Sequence, residues 1–458
     1  MHTLAQLRSG AFKNATRLTL TDNLTQFPTE IFDLADTLET LDLSNNQLSQ
    51  LPEDLPRLHQ LKHLFLNNNQ FESVPECLQD CPSLDLISFK SNRVRHLPEN
   101  ALPKQTRWLI LTDNQLKELP NSLGNHARLQ KLMLAGNQLT TLPDSLEKCS
   151  QLQLIRLSAN QLSQFPKCLL ALPNLAWVAF SGNPFCRNAE ATQHSAQSST
   201  HSNLTNASRP TLSLEHIELH EVLGQGASGV IHRASMSTTA NTLTVSSAQI
   251  DQNEQVAIKL FKGEVTSDGY PQDELHANLL LGAHPNLVEV LAQITDAEQS
   301  GIVMNLIPDH YFNLGLPPDL VSCTRDRFVD GMTLTLDDIV KIAVSMADAL
   351  VHLHTHQLSH GDVYAHNILI DDQANVLFGD FGASTYYGGL TEELQQAVQQ
   401  IEIRAYGWLL DDLLSICDSP NANSSYFKSL VRLQKACVQD NIQHFTELLK
   451  QLKQTIAS

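Results

Sequence analysis

No stretch of this 458-residue chain approaches the roughly 18 consecutive apolar residues that a membrane-spanning helix needs. Positive charge is also scarce: 30 Lys and Arg stand against 49 Asp and Glu, a formal net charge of −19 at pH 7. Nucleic acids and anionic membranes are bound through basic stripes that displace counterions, so neither is expected as the main partner, and neutral or basic surfaces are favoured. Eight cysteines are present but no C-x-x-C, and the closest pair is Cys77 and Cys81, which argues against a zinc or disulfide framework. His352, His354, His356 and His360 cluster without an H-E-x-x-H pattern or a nearby Cys set, so they do not read as a metal site. Met1–Gly10 carries neither a basic segment nor a long apolar one. A soluble cytoplasmic protein with reduced thiols is expected, and the Asn-x-Ser/Thr triplets at Asn14, Asn23, Asn203 and Asn206 are then chance matches.

What is present in the first half is a period. Asparagines recur at Asn23, Asn46, Asn69, Asn92, Asn114, Asn137, Asn160 and Asn183, every interval being 23 residues except one of 22. The surrounding pattern is plainest from Leu38 to Leu48, followed by Leu51-Pro52, and resembles the leucine-rich repeat. The leucines point into a shared core, a short strand runs through each Leu-x-Leu, and the asparagine amides satisfy turning backbone. About eight repeats are expected over 17–186, with 1–16 as an N-terminal cap and Asn183-Pro184-Phe185-Cys186 closing the other end. Residues flanking the buried leucines should face the concave side. They include Phe65, Leu86, Trp108, Ile110, Met133, Leu154 and Trp177, interspersed with Asp42, His63, Lys90, Lys131 and Arg156. An apolar and aromatic stripe there reads as a protein-binding surface, with Phe65, Trp108, Ile110, Met133, Arg156 and Trp177 as its contacts; the alternative is that the chain's own second half covers it.

Residues 187–211 turn to Ser, Thr, Asn, Ala, Gln and His with almost no large apolar side chain, which predicts a flexible linker. Beyond it, Leu223-Gly224-Gln225-Gly226-Ala227-Ser228-Gly229 lets backbone amides approach phosphate oxygens, and Lys259 in Val256-Ala257-Ile258-Lys259 supplies a charge to them. Asp362 and Asn367 lie five apart, followed by Asp380-Phe381-Gly382. An aspartate so placed can orient an attacking hydroxyl, while Asn367 and Asp380 offer oxygens to magnesium. A polar insertion, 235–253, reads as an exposed loop, and a second, 308–332, precedes an amphipathic helix over 336–354. Asp371-Asp372 reads as a surface turn and Asp411-Asp412 as a solvated helix face.

Four motifs in this order resemble a eukaryotic-type protein kinase, and the whole chain resembles the leucine-rich-repeat protein kinases. The implied fold is an α/β leucine-rich-repeat solenoid followed by an α+β two-lobed kinase-like domain, 212–458, with a small lobe to about 307 and a large lobe from about 308. The resemblance makes Asp362 the catalytic base, pairs Lys259 with Glu274 (Asp273 being the other register), and gives magnesium to Asn367 and Asp380. It places ATP against Leu223, Gly224, Gly226, Gly229, Ile231, Ala257, Lys259, Met304, Asn305 and Ile307, with Met304 as gatekeeper and the backbone of Asn305 and Ile307 facing adenine. The segment around Glu402-Ile403-Arg404 resembles the helix bearing the domain's anchoring acid.

Three departures stand beside the resemblance. His360-Gly361-Asp362 lacks the arginine that would read a phosphate on the activation loop; Tyr364 stands where serine/threonine kinases carry a lysine; and the segment after Asp380 is short, with no Ala-Pro-Glu. The expectation is a Mg-ATP-dependent protein serine/threonine kinase whose repeats bind a protein partner or substrate. The alternatives are a nucleotide-binding scaffold with little turnover and a small-molecule phosphotransferase, which the His-Gly-Asp form also resembles.

Overall fold

The structure is a computed structural model describing residues 2–186, 211–226, 228–236, 255–262, 265–266, 268–296, 299–418 and 425–457. The expected linker and first polar insertion lie outside the described residues apart from 211, 235 and 236. Two compact units form, Met1–Phe185 and Cys186–Ser458.

The first unit opens with a short helix, α1 (Leu4–Arg8), capped by Thr3 and burying Leu7. Eight three-residue strands follow: β1 (Arg17–Thr19), β2 (Thr40–Asp42), β3 (His63–Phe65), β4 (Leu86–Ser88), β5 (Trp108–Ile110), β6 (Lys131–Met133), β7 (Leu154–Arg156) and β8 (Trp177–Ala179). They pair in chain order as one parallel sheet, because each repeat returns to the same register. The return path is a turn of 3-10 helix, begun at Pro28, Pro75, Pro120, Pro143 or Pro166, whose fixed φ starts the bend. Between strand and turn the periodic asparagines from Asn46 to Asn183 are buried and bonded on both sides, whereas Asn23 is exposed. Asn137 donates from Nδ2 to the carbonyls of Leu111 (2.8 Å) and Leu134 (3.0 Å), while its Oδ1 accepts from the Leu116 N–H (3.0 Å).

The concave stripe is only partly open. Phe65, Trp108 and Ile110 are half-buried. Met133, Arg156 and Trp177 are buried, Arg156 at 2% and Trp177 at 1% exposure, as are Leu86 and Leu154, which corrects the expectation of a water-facing row. In-register pairing accounts for part of this: Leu154 lies between Lys131 and Trp177, and Arg156 between Met133 and Ala179. The Lys131 ammonium likewise sits 4.2 Å over the Trp108 ring.

The second unit begins with a six-stranded sheet, ordered β10-β11-β12-β14-β13-β9. Its strands are β9 (Thr211–Leu212), β10 (Ile217–Gln225), β11 (Gly229–Met236), β12 (Gln255–Phe261), β13 (Val290–Thr295) and β14 (Ser300–Asn305). Only the β9–β13 pair is parallel. Alternate apolar residues, Val256, Ile258, Ala292, Ile294 and Val303 among them, bury one face. Helix α2 (Pro271–Leu281) opens on Pro271 and stops at Gly282, whose φ of +66° a side chain would resist.

The larger part is helical: α3 (Leu336–Thr355), α4 (Glu392–Ser415), α5 (Ser425–Val438) and α6 (Phe445–Ala457). Two small antiparallel sheets edge it. One is β15 (Phe312–Asn313), β17 (Ile368–Ile370) and β18 (Val376–Phe378); the other joins β16 (Leu358–Ser359) to β19 (Thr385–Tyr386). Helix α3 has a complete capping box, Thr335 with Asp338, and its buried stripe from Ile339 to Leu353 follows the predicted period. No helix of the described residues is long and apolar enough to cross a membrane.

Candidate active site

β12 carries Lys259 into the interior, where its ammonium meets Glu274 Oε1 on α2. Glu274, not Asp273, is therefore the partner, being buried to 2% exposure on the inward side of α2. Burial pushes the Glu274 carboxyl above the usual carboxylate range; Lys259 opposes that shift and Asp380 adds to it. Asp380 Oδ1 lies 3.9 Å from the same ammonium, on a residue in the left-handed region (φ 59°) that turns its carboxylate outward, 61% exposed. Phe381 beside it is buried against the His360 ring, centroids 5.0 Å apart.

The loop between β16 and β17 is fixed from below. Buried His360 donates from Nε2 to the Gly379 carbonyl (3.0 Å) and accepts the Asp362 N–H on Nδ1 (3.3 Å), a tautomer that ties the Asp362 turn to the strand leading into Asp380. Asn367 donates from Nδ2 to the Asp362 carbonyl (3.0 Å). Gly361, which stands in the place of the arginine, has a φ of +75°, and its N–H donates to Glu402 Oε1 at 2.6 Å. Glycine is the residue that adopts this conformation without strain. Glu402, on α4, also accepts from His354 Nε2 (2.7 Å), and His354 Nδ1 accepts from the Tyr387 hydroxyl (2.7 Å). The sequence suggests an anchoring acid on this helix; the histidine and tyrosine behind it carry no sequence signal, being 48 and 15 residues away from it.

Tyr364 is buried, its ring 5.0 Å from that of His366. Burial works against a charge on His366, but the hydrogen bond and charge of Asp326, with Asp362 and Asp380 adding, lift its pKa above the ordinary histidine value. Asp411 and Asp412 are not a solvated face: Asp412 is largely buried and both meet Arg325, whose guanidinium also lies 4.6 Å over the Trp408 ring. Burial lifts the Asp412 carboxyl to about 6, with Arg325 working against the lift. Asp371 is a turn residue, accepting from the N–H groups of Gln373 and Asn375, but it is buried rather than on the surface, where only Asp372 lies.

The glycine loop separates two uses of glycine. A Cβ at Gly229 would lie 2.5 Å from the Leu260 carbonyl oxygen, so this position is required by packing. At Gly224 and Gly226 a Cβ would meet nothing within 4 Å, and neither has positive φ. Among the described residues nothing requires those two glycines. Gly229→Ala should therefore cost about 1–3 kcal/mol of stability, whereas Gly226→Ala should leave the melting temperature unchanged and weaken ATP binding; calorimetric melting with nucleotide titration separates the two. Around the expected adenine wall Ala257 is buried, Ile231, Met304 and Ile307 are half-buried, and Leu223 is 42% exposed. The Asn305 N–H donates to the Glu289 carbonyl (3.0 Å), so that N–H does not face a base.

Residues 217–447 match the family described as protein tyrosine and serine/threonine kinase. The chain belongs to that family. Leucine-rich repeats match at 36–94, 104–162 and 127–185. Curated relatives include the serine/threonine-protein kinase PITSLRE of Drosophila melanogaster, 25% identical over 43% of this chain and 19% of the relative. Activin receptor type-1 of Mus musculus is 25% identical over 45% of this chain and 37% of the receptor. The L-type lectin-domain containing receptor kinase V.5 of Arabidopsis thaliana is 24% identical over 47% and 29%. The kinase-family chain thus spans well under half the length of each. A leucine-rich-repeat protein of Leptospira interrogans is similar among solved structures, with 29% identity, a TM-score of 0.31, and coverage of 36% of this chain and 48% of that one.

Proposed function

We propose that this chain is a Mg-ATP-dependent protein kinase that transfers the γ-phosphoryl group to a serine or threonine hydroxyl. The observation that carries the reading is the Lys259–Glu274 pair, closed in the interior with Asp380 at 3.9 Å. Orienting that lysine is what positions a nucleotide phosphate. Open space before Gly224 and Gly226 supports phosphate binding there.

Asn367 and Asp380 fit magnesium. The Asn367 amide nitrogen is turned to the Asp362 carbonyl, which leaves its Oδ1 and the exposed Asp380 carboxylate as hard oxygen donors. Magnesium bound there would neutralise charge on the phosphates. Asp362 would accept the proton of the attacking hydroxyl while Lys259 holds the phosphates, and the glycine loop would cover them. The concave repeats, through Phe65, Trp108 and Ile110, would recruit a protein partner; Met133, Arg156 and Trp177 are too buried to do so as they stand.

One observation favours a second reading. After β19 the chain passes through only five residues before α4 begins at Glu392, so the shelf on which peptide substrates rest is minimal. A nucleotide-binding scaffold or a small-molecule phosphotransferase would need no such shelf. Incubation with magnesium and γ-labelled ATP, followed by phosphosite mapping, decides between them. Label on protein serine or threonine supports the kinase; ATP binding without labelled protein overturns it.

A further inference from the structure

The insertion between β14 and α3 reaches the catalytic loop from outside the family's motifs. It is a closed loop in its own right: Leu316 and Arg327 exchange backbone hydrogen bonds of 2.7 and 3.0 Å, and Asp319 Oδ1 accepts from the Val321 and Ser322 N–H groups, both at 2.8 Å. Arg325 fastens it to α4 through Asp411 and Asp412. The next residue, Asp326, has a side chain 1% exposed, and it accepts from His366 twice, from the backbone N–H (3.1 Å) and from the ring Nδ1 (2.7 Å). Two further contacts join the same partners. The Leu314 N–H donates to the Ile368 carbonyl (2.9 Å), and a Cβ at Gly315 would fall 2.8 Å from Ala365 Cβ.

We propose that Asp326 is a positioning residue for phosphoryl transfer: through its two bonds to His366 the insertion clamps the loop that carries Asp362 and Asn367. This rests on the kinase reading above. A buried carboxylate is expensive unless its acceptor sites are filled. Both hydrogen bonds described for Asp326 go to a single residue of the catalytic loop, and neither serves the insertion, which Arg325, Asp319 and the Leu316–Arg327 bridge already hold. The consequence is geometric. Nδ1 of His366 is committed to Asp326, so the ring is locked in one orientation between Asp362 and Asn367 in the chain. The loop's seventh residue is thereby fixed from a second direction, opposite in sequence to the Glu402 anchor at Gly361. A chain with Tyr364 where a lysine is expected gains a fixed polar ring two residues later on the same loop.

The test uses the full chain with Asp326→Asn, which keeps the volume and loses one acceptor, together with His366→Ala and the double variant. Steady-state kinetics with Mg-ATP and the mapped acceptor protein are compared with hydrogen–deuterium exchange over residues 360–368. We expect Asp326→Asn to lower kcat by about 10- to 100-fold, as loss of an orienting partner does, with KM for ATP within about twofold. The double variant should be no worse than His366→Ala alone, because Asp326 acts through that ring. Exchange at 360–368 should quicken in Asp326→Asn. An unchanged kcat, or losses that multiply in the double variant, overturns the positioning role while leaving the kinase reading intact. Absence of transfer by the wild-type chain overturns that reading and the catalytic role with it, and the exchange arm alone then decides whether the clamp exists. Unchanged exchange removes the clamp.

Discussion

Asp362→Asn lowers γ-phosphoryl transfer by between about 10² and 10⁴-fold, the range a positioned general base contributes, while ATP affinity stays within about twofold. The separation follows from geometry. The Asp362 backbone is tied on both sides, its N–H to His360 and its carbonyl to Asn367. An amide in place of the carboxylate leaves both backbone bonds in place and removes the proton acceptor. Asp380→Ala behaves differently. Its carboxylate is the exposed oxygen donor beside Lys259, so magnesium-dependent ATP affinity falls together with transfer. Isothermal titration of ATP with and without magnesium, run beside the labelling assay, distinguishes the two variants. Full transfer by Asp362→Asn would remove the base from the scheme.

Glu402→Ala destabilises the kinase domain by about 3–5 kcal/mol, because it leaves two buried donors, the Gly361 N–H and His354 Nε2, without their acceptor at about 1–3 kcal/mol each and opens a cavity besides. Both side chains of the His354–Glu402 pair are 4% exposed, so water cannot replace the carboxylate without rearrangement. Thermal melting should show the loss as a shift of roughly 10 °C, at about 2–4 °C per kcal/mol for a domain of this size. Gly361, at φ +75°, would then have no acceptor for its N–H, and activity should fall beyond what the melting shift explains. His354→Phe, which keeps the packing against Phe445, should give a smaller shift, since the Gly361 bond survives. Equal shifts for the two variants would mean that the anchor at Gly361 contributes nothing.

Where function rests on short contiguous motifs, the sequence is legible. Lys259, Asp362, Asn367 and Asp380 each sit in a run of three to six residues whose chemistry can be read in place, and the 23-residue period declares the solenoid. Legibility fails where the partner is distant along the chain. Asp273 and Glu274 are neighbours on one helix turn, and only tertiary packing selects the one that faces Lys259. Asp411 and Asp412 look like a solvated pair because Arg325, 86 and 87 residues away, is not a visible partner. Asp326 and His366, 40 apart, belong to no pattern at all. The concave stripe fails for another reason: strand alternation predicts which face a side chain takes, but not how far its neighbours cover it. Met133, Arg156 and Trp177 are buried.

The asparagine ladder also has a direction. Leu24, Leu48, Phe71, Val94, Leu116, Leu139 and Leu162 each donate an N–H to the asparagine of the repeat that follows, from Asn46 through Asn183. A repeat's backbone is therefore completed only by its C-terminal neighbour. On a ribosome, where the N-terminus emerges first, every coil must wait for about one further period of chain before its buried amide finds an acceptor. The growing solenoid always carries one unfinished turn at its leading edge, and Asn183 is the residue that ends the wait.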